Sequence, residues 1–188
     1  MPKSYMLEKP WVLPKEHPMR SIVLGKVVVN MAVGESGERL MKAAMVLEEI
    51  TGQKPSFRKA KRTIKEFGIK RGENIACIVT LRGEKALKFL EKVLPVIDYK
   101  IKESGVDKRG NICFGIKEHI HLPGVKYDPT VGIFGFDVCI SLERPGFRVA
   151  RRKRRKSSIG KNHFVTREEA IEFLEKVLGV AVIKTTRR

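Results

Sequence analysis

The residues best suited to chemistry lie at positions 51–72, where basic side chains are spaced along a segment with a single acid, Glu66. Guanidinium and ammonium groups in such a series neutralise the phosphates of a nucleic acid, whereas their mutual repulsion opposes packing in a core. Phe57 and Phe67 lie among the charges, where they could approach bases. This first basic segment therefore predicts a contact with a polyphosphate, and a solvated basic surface is the alternative. Its basic residues are Lys54, Arg58, Lys59, Lys61, Arg62, Lys65, Lys70 and Arg71.

A second basic segment, residues 144–163, has the same character. No acid falls between positions 148 and 161. This charge density favours a loop that becomes ordered on RNA over a packed element. The basic residues between those positions are Arg148, Arg151, Arg152, Lys153, Arg154, Arg155, Lys156 and Lys161.

The composition of the whole chain points to a polyanionic partner. Its 188 residues carry a net charge of +18, and the isoelectric point is about 10.1. RNA, DNA or an acidic membrane would satisfy this charge. The sequence has no apolar run long enough to span a membrane and no lipidation motif, so we expect no membrane partner. Cys77, Cys113 and Cys139 each lie in an apolar run and predict reduced core residues of a cytoplasmic protein.

Catalytic motifs are not found in the sequence. It contains no Walker loop, nucleophile elbow or dinucleotide fingerprint. His119 and His121 would share one face of a predicted strand, but no cysteine or acid falls at ligand spacing around them. We therefore expect a protein that is not an enzyme and that binds no metal or other cofactor.

The strand patterns would place polar side chains on one face of a sheet. Strands are predicted at 22–31 and 74–82, with Val27, Val29 and Met31 on the inner face of the first. The opposite face would carry Lys, Asn, Thr and Arg, which suits an RNA platform. Further strands are predicted at 111–120 and 133–142, and residues 98–109 predict a loop. The polar residues on the open face would be Lys26, Asn30, Thr80 and Arg82.

Helical spacing predicts three helices, at 37–50, at 84–94 and after Thr166. Ser36 could cap the first of these, and Met41 and Met45 would fill core space beneath it. Thr166 and Glu169 predict a capping box at the start of the last helix.

The first basic segment fits two local structures. Its apolar residues match a helix after Ser56, but like charges four residues apart, as at Arg58 and Arg62, oppose that helix. We favour a loop at 53–63 followed by a strand at 63–69.

The resulting organisation is a single α+β domain at 21–183, with basic loops at 53–63 and 144–163. Residues 1–20 contain four prolines and predict an extended arm, in which Trp11 docks on the body more readily than it stacks on a partner. Residues 184–188 form a basic tail.

Several stretches, in order along the chain, resemble one family. KVVVNMAVGESGERL, TGQKPSFRKAKRTIKEFGIKRGENIACIVTLRG, GNICFGIKEHIHLPGVKYDP and the final TREEA helix are similar to the large-subunit ribosomal protein that binds 5S rRNA, the L-five family. The segment RPGFRVARRKRRKSSIGKNHF resembles the archaeal and eukaryotic branch, and we expect an archaeal protein. The resemblance implies an antiparallel β-sheet with helices packed on one face, and a cytoplasmic location on the ribosome.

The resemblance also implies sites and partners. Contacts to 5S rRNA would fall on Asn30, Gln53, Phe67 and Thr80, to which the open strand face adds Lys26 and Arg82. A mobile loop at 54–63 would reach the P-site tRNA through Lys54, Arg58, Lys59, Lys61 and Arg62. The second basic segment would bind large-subunit rRNA.

The family's place in the ribosome implies further neighbours. It sits in the central protuberance beside the L-eighteen-type protein and bridges to the S-thirteen-type protein of the small subunit. The rival functions are an RNA-acting enzyme and a general nucleic-acid chaperone. The first would need an acid pair or cofactor site, and the second would bind DNA and unrelated RNA equally well.

Overall fold

The computed structural model describes residues 12–13, 15, 17–125 and 129–184, which form an α+β fold. Most of the predicted arm, including Trp11, and all of the predicted tail except its first residue lie outside these residues. The strands are β1 Val12–Leu13, β2 Ile22–Ala32, β3 Ser56–Lys59, β4 Asn74–Leu81, β5 Lys100–Lys102, β6 Asn111–Ile116, β7 Phe136–Glu143 and β8 Ala181–Ile183. The α-helices are α1 Glu38–Thr51, α2 Glu84–Val93, α3 Arg148–Arg151 and α4 Arg167–Val177.

The strands of the described chain form two sheets. Six of them belong to one sheet in the order β3-β4-β2-β7-β6, with β1 also paired to β2. The β1–β2 and β3–β4 pairs are antiparallel, whereas β5 and β8 form a separate parallel pair. The predicted class, an antiparallel sheet with helices packed against it, is confirmed. β5 lies in the stretch predicted as a loop at 98–109, where Ile101 is buried between two exposed lysines and pairs with Val182.

The chain divides into two compact units, and the division falls within β2, β6 and β7. The second unit comprises Val28–Val96 and Phe114–Val138. In it α1 packs on β4, because Leu40 and Leu47 recur at helical spacing and Cys77 and Val79 lie in the apolar strand. All four side chains are buried, and burial raises the pKa of the Cys77 thiol to about 11.

The first unit contains the residues up to Val27, Ile97–Cys113 and the residues from Cys139 onward. In this unit α4 contacts β1 and β8, and its residues Phe173 and Leu174 are fully buried. The predicted capping box is confirmed: Thr166 Oγ1 accepts from the backbone N–H of Glu169, whose carboxylate accepts from the N–H of Thr166. The cap fixes where α4 begins.

The first basic segment is neither a helix nor a loop followed by a strand at 63–69. A strand comes earlier, at Ser56–Lys59, and continues into a hairpin whose other arm is β4. Backbone hydrogen bonds join Ala60 to Glu73 and Gly72, and Ile64 to Ile69. The four residues of β3 are all exposed, so pairing with β4, not burial, holds them extended.

The second basic segment was predicted as a loop, but it contains ordered elements. Residues 148–151 form α3, and Lys161–His163 form a 3-10 turn. Arg144, at the start of the segment, is buried and contacts both carboxylate oxygens of Glu169, at 2.6 and 2.5 Å. The charge of Arg144 alone would oppose its burial, and the ion pair with Glu169 offsets that cost.

Two predictions about the first helix were wrong. Met41 and Met45 are not core residues, because they lie 52% and 64% exposed on the outer side of α1. Ser36 does not cap the helix, since its hydroxyl donates to Glu73 and the N-cap position is Gly37.

The prediction of three reduced core cysteines holds only for Cys77. Cys113 on β6 is exposed and Cys139 on β7 is half-buried, and the two form a disulfide. Their strands are neighbours in the sheet, so two cysteines that are 26 residues apart in sequence have a Cα–Cα separation of 4.2 Å.

Candidate RNA interface

Two residues predicted to contact RNA meet in the second unit. Gln53 follows the C-cap of α1, Gly52, which adopts a left-handed conformation and turns the chain towards β4. The Nε2 atom of Gln53 donates to the carbonyl oxygen of Thr80, at 3.3 Å. Both side chains are half-exposed. This hydrogen bond uses the Gln53 amide nitrogen and the Thr80 backbone carbonyl. The Thr80 hydroxyl and the Gln53 amide oxygen, which it does not use, therefore lie close together.

The register of the hairpin places an arginine on the same face as Thr80. Arg58 lies opposite Ala76, and residues opposite each other in an antiparallel pair point to the same side of the sheet. Side chains two and four positions further along also share that side, so Ala76 and Thr80 do. Phe57, opposite Cys77, points to the other side and is partly exposed at the sheet edge. Arg58 therefore adds positive charge to the Thr80 face.

Asn30 borders a shallow depression on the corresponding face of β2. Burial alternates along the strand, with Val29 and Met31 buried and Asn30 half-exposed. The depression has a volume of about 330 Å³, and Lys117 and Asp137 also line it. Lys117 follows β6 and is exposed, so it is a candidate contact that sequence reasoning missed. Its proximity to Asn30 depends on sheet order, which no local pattern in the sequence reveals.

The other two residues predicted on the open face occupy the expected strand positions. Lys26, in the first unit, is half-buried and alternates with buried Val27 along β2. Arg82 directly follows β4 and is exposed.

Phe67 lies far from Thr80, at the tip of the hairpin. Thr80 lies six positions after Asn74 along β4, a span of about 20 Å, and Phe67 lies beyond Asn74 at the turn. Its side chain is 70% exposed, and it belongs to a 3-10 turn that ends at Gly68 in a left-handed conformation. The structure therefore does not bring Phe67 together with Gln53 and Thr80.

The residues predicted to contact tRNA are distributed along the length of the hairpin. Lys54 adjoins Gln53, Arg58 and Lys59 lie on β3, and Lys61 and Arg62 lie towards the tip. All five are exposed. They form a basic ridge, not one cluster.

Glu73 holds the outer part of the hairpin in place. Its carboxylate accepts from the Ser36 hydroxyl and, at 2.9 Å, from the backbone N–H of Lys70. These hydrogen bonds, the Ser36 one foremost, lower the pKa of Glu73 below its usual value. The Thr63 hydroxyl accepts from the N–H of Arg71 across the hairpin, at 3.0 Å. The tip is therefore presented on an ordered support.

Part of the second basic segment, in the first unit, is already paired within the protein. Arg151 donates to both carboxylate oxygens of Glu143, at 2.9 and 2.7 Å. The Nε atom of Arg152 donates to the carbonyl oxygen of Arg155, at 2.7 Å. Both interactions involve exposed guanidinium groups, which keep donors directed outward.

An aromatic cluster supports this segment. The Phe147 ring makes an edge contact with Phe164 and a tilted contact with His163, at centroid distances of 5.7 and 5.9 Å. The Arg109 guanidinium lies 5.3 Å from the centre of the Phe164 ring. The exposed cations that project from this support are Arg148, Lys153, Arg154, Arg155, Lys156 and Lys161.

The part of the chain that the structure describes contains neither a group of metal ligands nor a helix that could span a membrane. Among those residues, no three His, Cys, Asp or Glu side chains are grouped as metal ligands. His119 and His121 lie in a 3-10 turn instead of a strand. Buried His119 accepts from the N–H of Phe134, whereas exposed His121 lies 3.5 Å from Glu118. No helix within the described ranges has the length and apolar character needed to cross a membrane.

The fold and the exposed cations define a basic α+β protein with an open, polar strand face. Its sequence matches the family description "Ribosomal protein L5" at residues 17–70, and the description of the C-terminus of the same ribosomal family at residues 74–173. The chain belongs to the ribosomal L5 family.

Curated relatives agree with this assignment over nearly the whole chain. "Large ribosomal subunit protein uL5" of Pyrobaculum aerophilum is 58% identical over 174 residues, which cover 93% of this chain and 97% of the relative. The proteins of the same name from Aeropyrum pernix and Archaeoglobus fulgidus are 56% and 57% identical. These two alignments cover 90% and 89% of this chain, and 88% and 93% of the relatives. The expected family and its archaeal character are confirmed.

Proposed function

We propose that the chain is a non-catalytic constituent of the large ribosomal subunit that binds 5S rRNA on the open strand face. The observation that carries this proposal is the hydrogen bond from Gln53 to Thr80. It brings the Gln53 amide to Thr80, a strand residue whose side chain lies on the same side of the sheet as Arg58. Exposed amide and hydroxyl groups beside a cation can recognise RNA shape while phosphate contacts supply affinity.

Asn30 extends this site, and Lys26 and Arg82 are proposed to supply further charge for RNA. Lys117 joins them on our proposal because it borders the same depression as Asn30. Phe67 contacts RNA separately, since its exposed ring at the hairpin tip can stack on an unpaired base.

The basic ridge of the hairpin is proposed to reach the P-site tRNA. Its cations extend from Lys54 to a tip whose backbone is held by internal hydrogen bonds. Because the hairpin is already ordered, little conformational entropy is lost when its cations bind RNA.

The exposed cations of the second basic segment are proposed to bind large-subunit rRNA. Arg151 takes part through its outward donors while it holds Glu143. We further propose that the protein lies in the central protuberance of a cytoplasmic ribosome. Its protein neighbours there would be an L-eighteen-type protein and, across the subunit bridge, an S-thirteen-type protein.

The test is a salt titration of binding to 5S rRNA, tRNA and a length-matched DNA duplex. On duplex DNA, each neutralised phosphate adds about 0.9 to the slope of log affinity against log salt. A preference for 5S rRNA that persists at high salt is the expected result. Equal affinities that fall together would indicate a general nucleic-acid chaperone, and breakdown of bound RNA would indicate an enzyme.

Thr80→Val should weaken 5S rRNA binding by about 1–3 kcal/mol, because a buried RNA acceptor or donor loses its hydroxyl partner. Thr51→Val is the matched control, since the Thr51 hydroxyl donates inside the protein, to the carbonyl oxygens of Leu47 at 2.6 Å and of Gln53 at 3.3 Å, and is not proposed to contact RNA. Unchanged binding by the Thr80 variant would remove this residue from the site.

A further inference from the structure

One acidic side chain lies on the open strand face of the second unit. Among the strand residues that belong to this unit, Asp137 of β7 is the single acid. Its neighbours along the strand, Phe136 and Val138, are buried, so its exposed carboxylate points away from the core. Within the described ranges, this carboxylate takes part in no ion pair and no hydrogen bond. It would repel a phosphate, so phosphate binding does not account for it.

Two glycines bring bare backbone to the depression that Asp137 shares with Asn30. A Cβ atom at Gly115 of β6 would lie 3.2 Å from Asp137 Oδ1, and one at Gly135 would lie 2.8 Å from the carbonyl oxygen of Lys117. Neither glycine has a positive φ, so it is the lack of space, not the backbone conformation, that favours glycine here. The depression of about 330 Å³ therefore stays open beside the carboxylate.

Three polar groups of different character border this depression. The Asp137 carboxylate accepts hydrogen bonds, the Lys117 ammonium donates them, and the Asn30 amide does both. Lys117 is exposed, and it forms no ion pair with Asp137 or with another residue of the described ranges. The depression therefore offers an acceptor and a cation that do not satisfy each other.

We propose that this depression binds one unpaired guanine of the RNA, and that Asp137 selects the base. The two oxygens of a carboxylate can accept together from two adjacent donors. Guanine alone among the four bases has such a pair on its Watson–Crick edge, in N1–H and the N2 amino group, and its O6 and N7 atoms accept from lysine. Each of the other three bases would turn an acceptor towards the carboxylate beside its single donor group.

The inference rests on the proposed function, because that function brings RNA to the open face, and it narrows the function to one base. Proteins read RNA sequence chiefly on unpaired bases, whose Watson–Crick edges are free. A carboxylate without such a role would only oppose the RNA phosphates. The two cases predict opposite signs for the effect of removing its charge.

The first experiment measures binding of the full chain to 5S rRNA after Asp137→Asn. We expect affinity to fall about tenfold, because the amide places a donor against a donor of guanine. Glu91→Gln, at an exposed carboxylate of α2 in the same unit, is the matched control. It should leave binding unchanged or slightly tighter, because it removes a negative charge. An Asp137 variant that binds as tightly as the wild type, or more tightly, would overturn the inference.

A second experiment identifies the base with kethoxal, which reacts with N1 and N2 of unpaired guanines. At saturating protein, a guanine of 5S rRNA should be protected by the wild-type chain and reactive with the Asp137→Asn chain. Inosine at that position lacks the N2 amino group and should weaken wild-type binding several-fold, but binding of the variant much less.

The absence of such a guanine would overturn the inference, as would equal protection by the two chains or equal losses on inosine. A wild-type chain without preference for 5S rRNA would instead refute the proposed function, and the inference with it.

Discussion

The ion pair between Arg144 and Glu169 should dominate the response of the first unit to single substitutions. The Arg144 side chain is only 4% exposed, and Glu169 both binds it and completes the capping box with Thr166. Glu169→Ala leaves a guanidinium buried without its counter-ion. We expect a loss of about 3–5 kcal/mol in the free energy of unfolding from the unpaired charge.

Two further variants separate the contributions to this loss. Thr166→Ala removes the cap but keeps the ion pair, and should cost about 1 kcal/mol. Arg144→Met together with Glu169→Ala replaces the pair by apolar side chains. Because no unpaired charge remains, the double variant should be more stable than Glu169→Ala alone.

Urea unfolding followed by circular dichroism measures these differences, provided that the dependence of the unfolding free energy on urea is unchanged. The reasoning would be refuted by a loss below about 1 kcal/mol for Glu169→Ala, since that is the value of a solvent-exposed pair. It would also be refuted if the costs of Arg144→Met and of Glu169→Ala, each measured alone, simply added in the double variant, because residues in contact should be coupled.

Three other changes test separate parts of the molecule. Lys61→Ala with Arg62→Ala should spare 5S rRNA binding and impair tRNA binding by assembled subunits; lost 5S binding would mean that the ridge serves another partner. Cys113→Ser, which removes a disulfide between residues 26 apart in sequence, should lower the unfolding free energy by about 3 kcal/mol under oxidising conditions and much less under reducing ones. Hydrogen bonds from two lysines, Lys15 foremost, lower the pKa of Glu172 to about 2, so its contribution to stability is complete above its ordinary pKa of 4.5 and is lost as the pH falls towards 2. Glu172→Gln should therefore flatten the fall in unfolding free energy over that pH range, and an unchanged pH profile would show that the carboxylate is not held in this way.

The strands that form the open face could be predicted because their side chains alternate. Val29 and Met31 are apolar and buried, and Asn30 between them is half-exposed, so the pattern along β2 determines its inner side. The cap of α4 was predictable for a similar reason, since Thr166 and Glu169 are only three residues apart.

Features that depend on distant partners could not be predicted in this way. β3 has no buried residue, and only its pairing with β4 shows that it is a strand. The charge of Arg144 suggests solvent or RNA, yet its partner, Glu169, lies 25 residues further along the chain. The methionines of α1 match a core pattern by type, but their positions on the helix place them outside.

The discontinuous make-up of the first unit has a consequence for synthesis of the chain. All segments of the second unit fall within residues 28–138, whereas the first unit includes β8, which ends at Ile183 and pairs with β5. A nascent chain can therefore complete the second unit while residues beyond 138 are still being translated. The first unit must wait until α4 and β8 have been translated, and before α4 has formed, strand β1 has no α4 to pack against. The open face of β4 and the hairpin thus become native before the second basic segment has its ordered support.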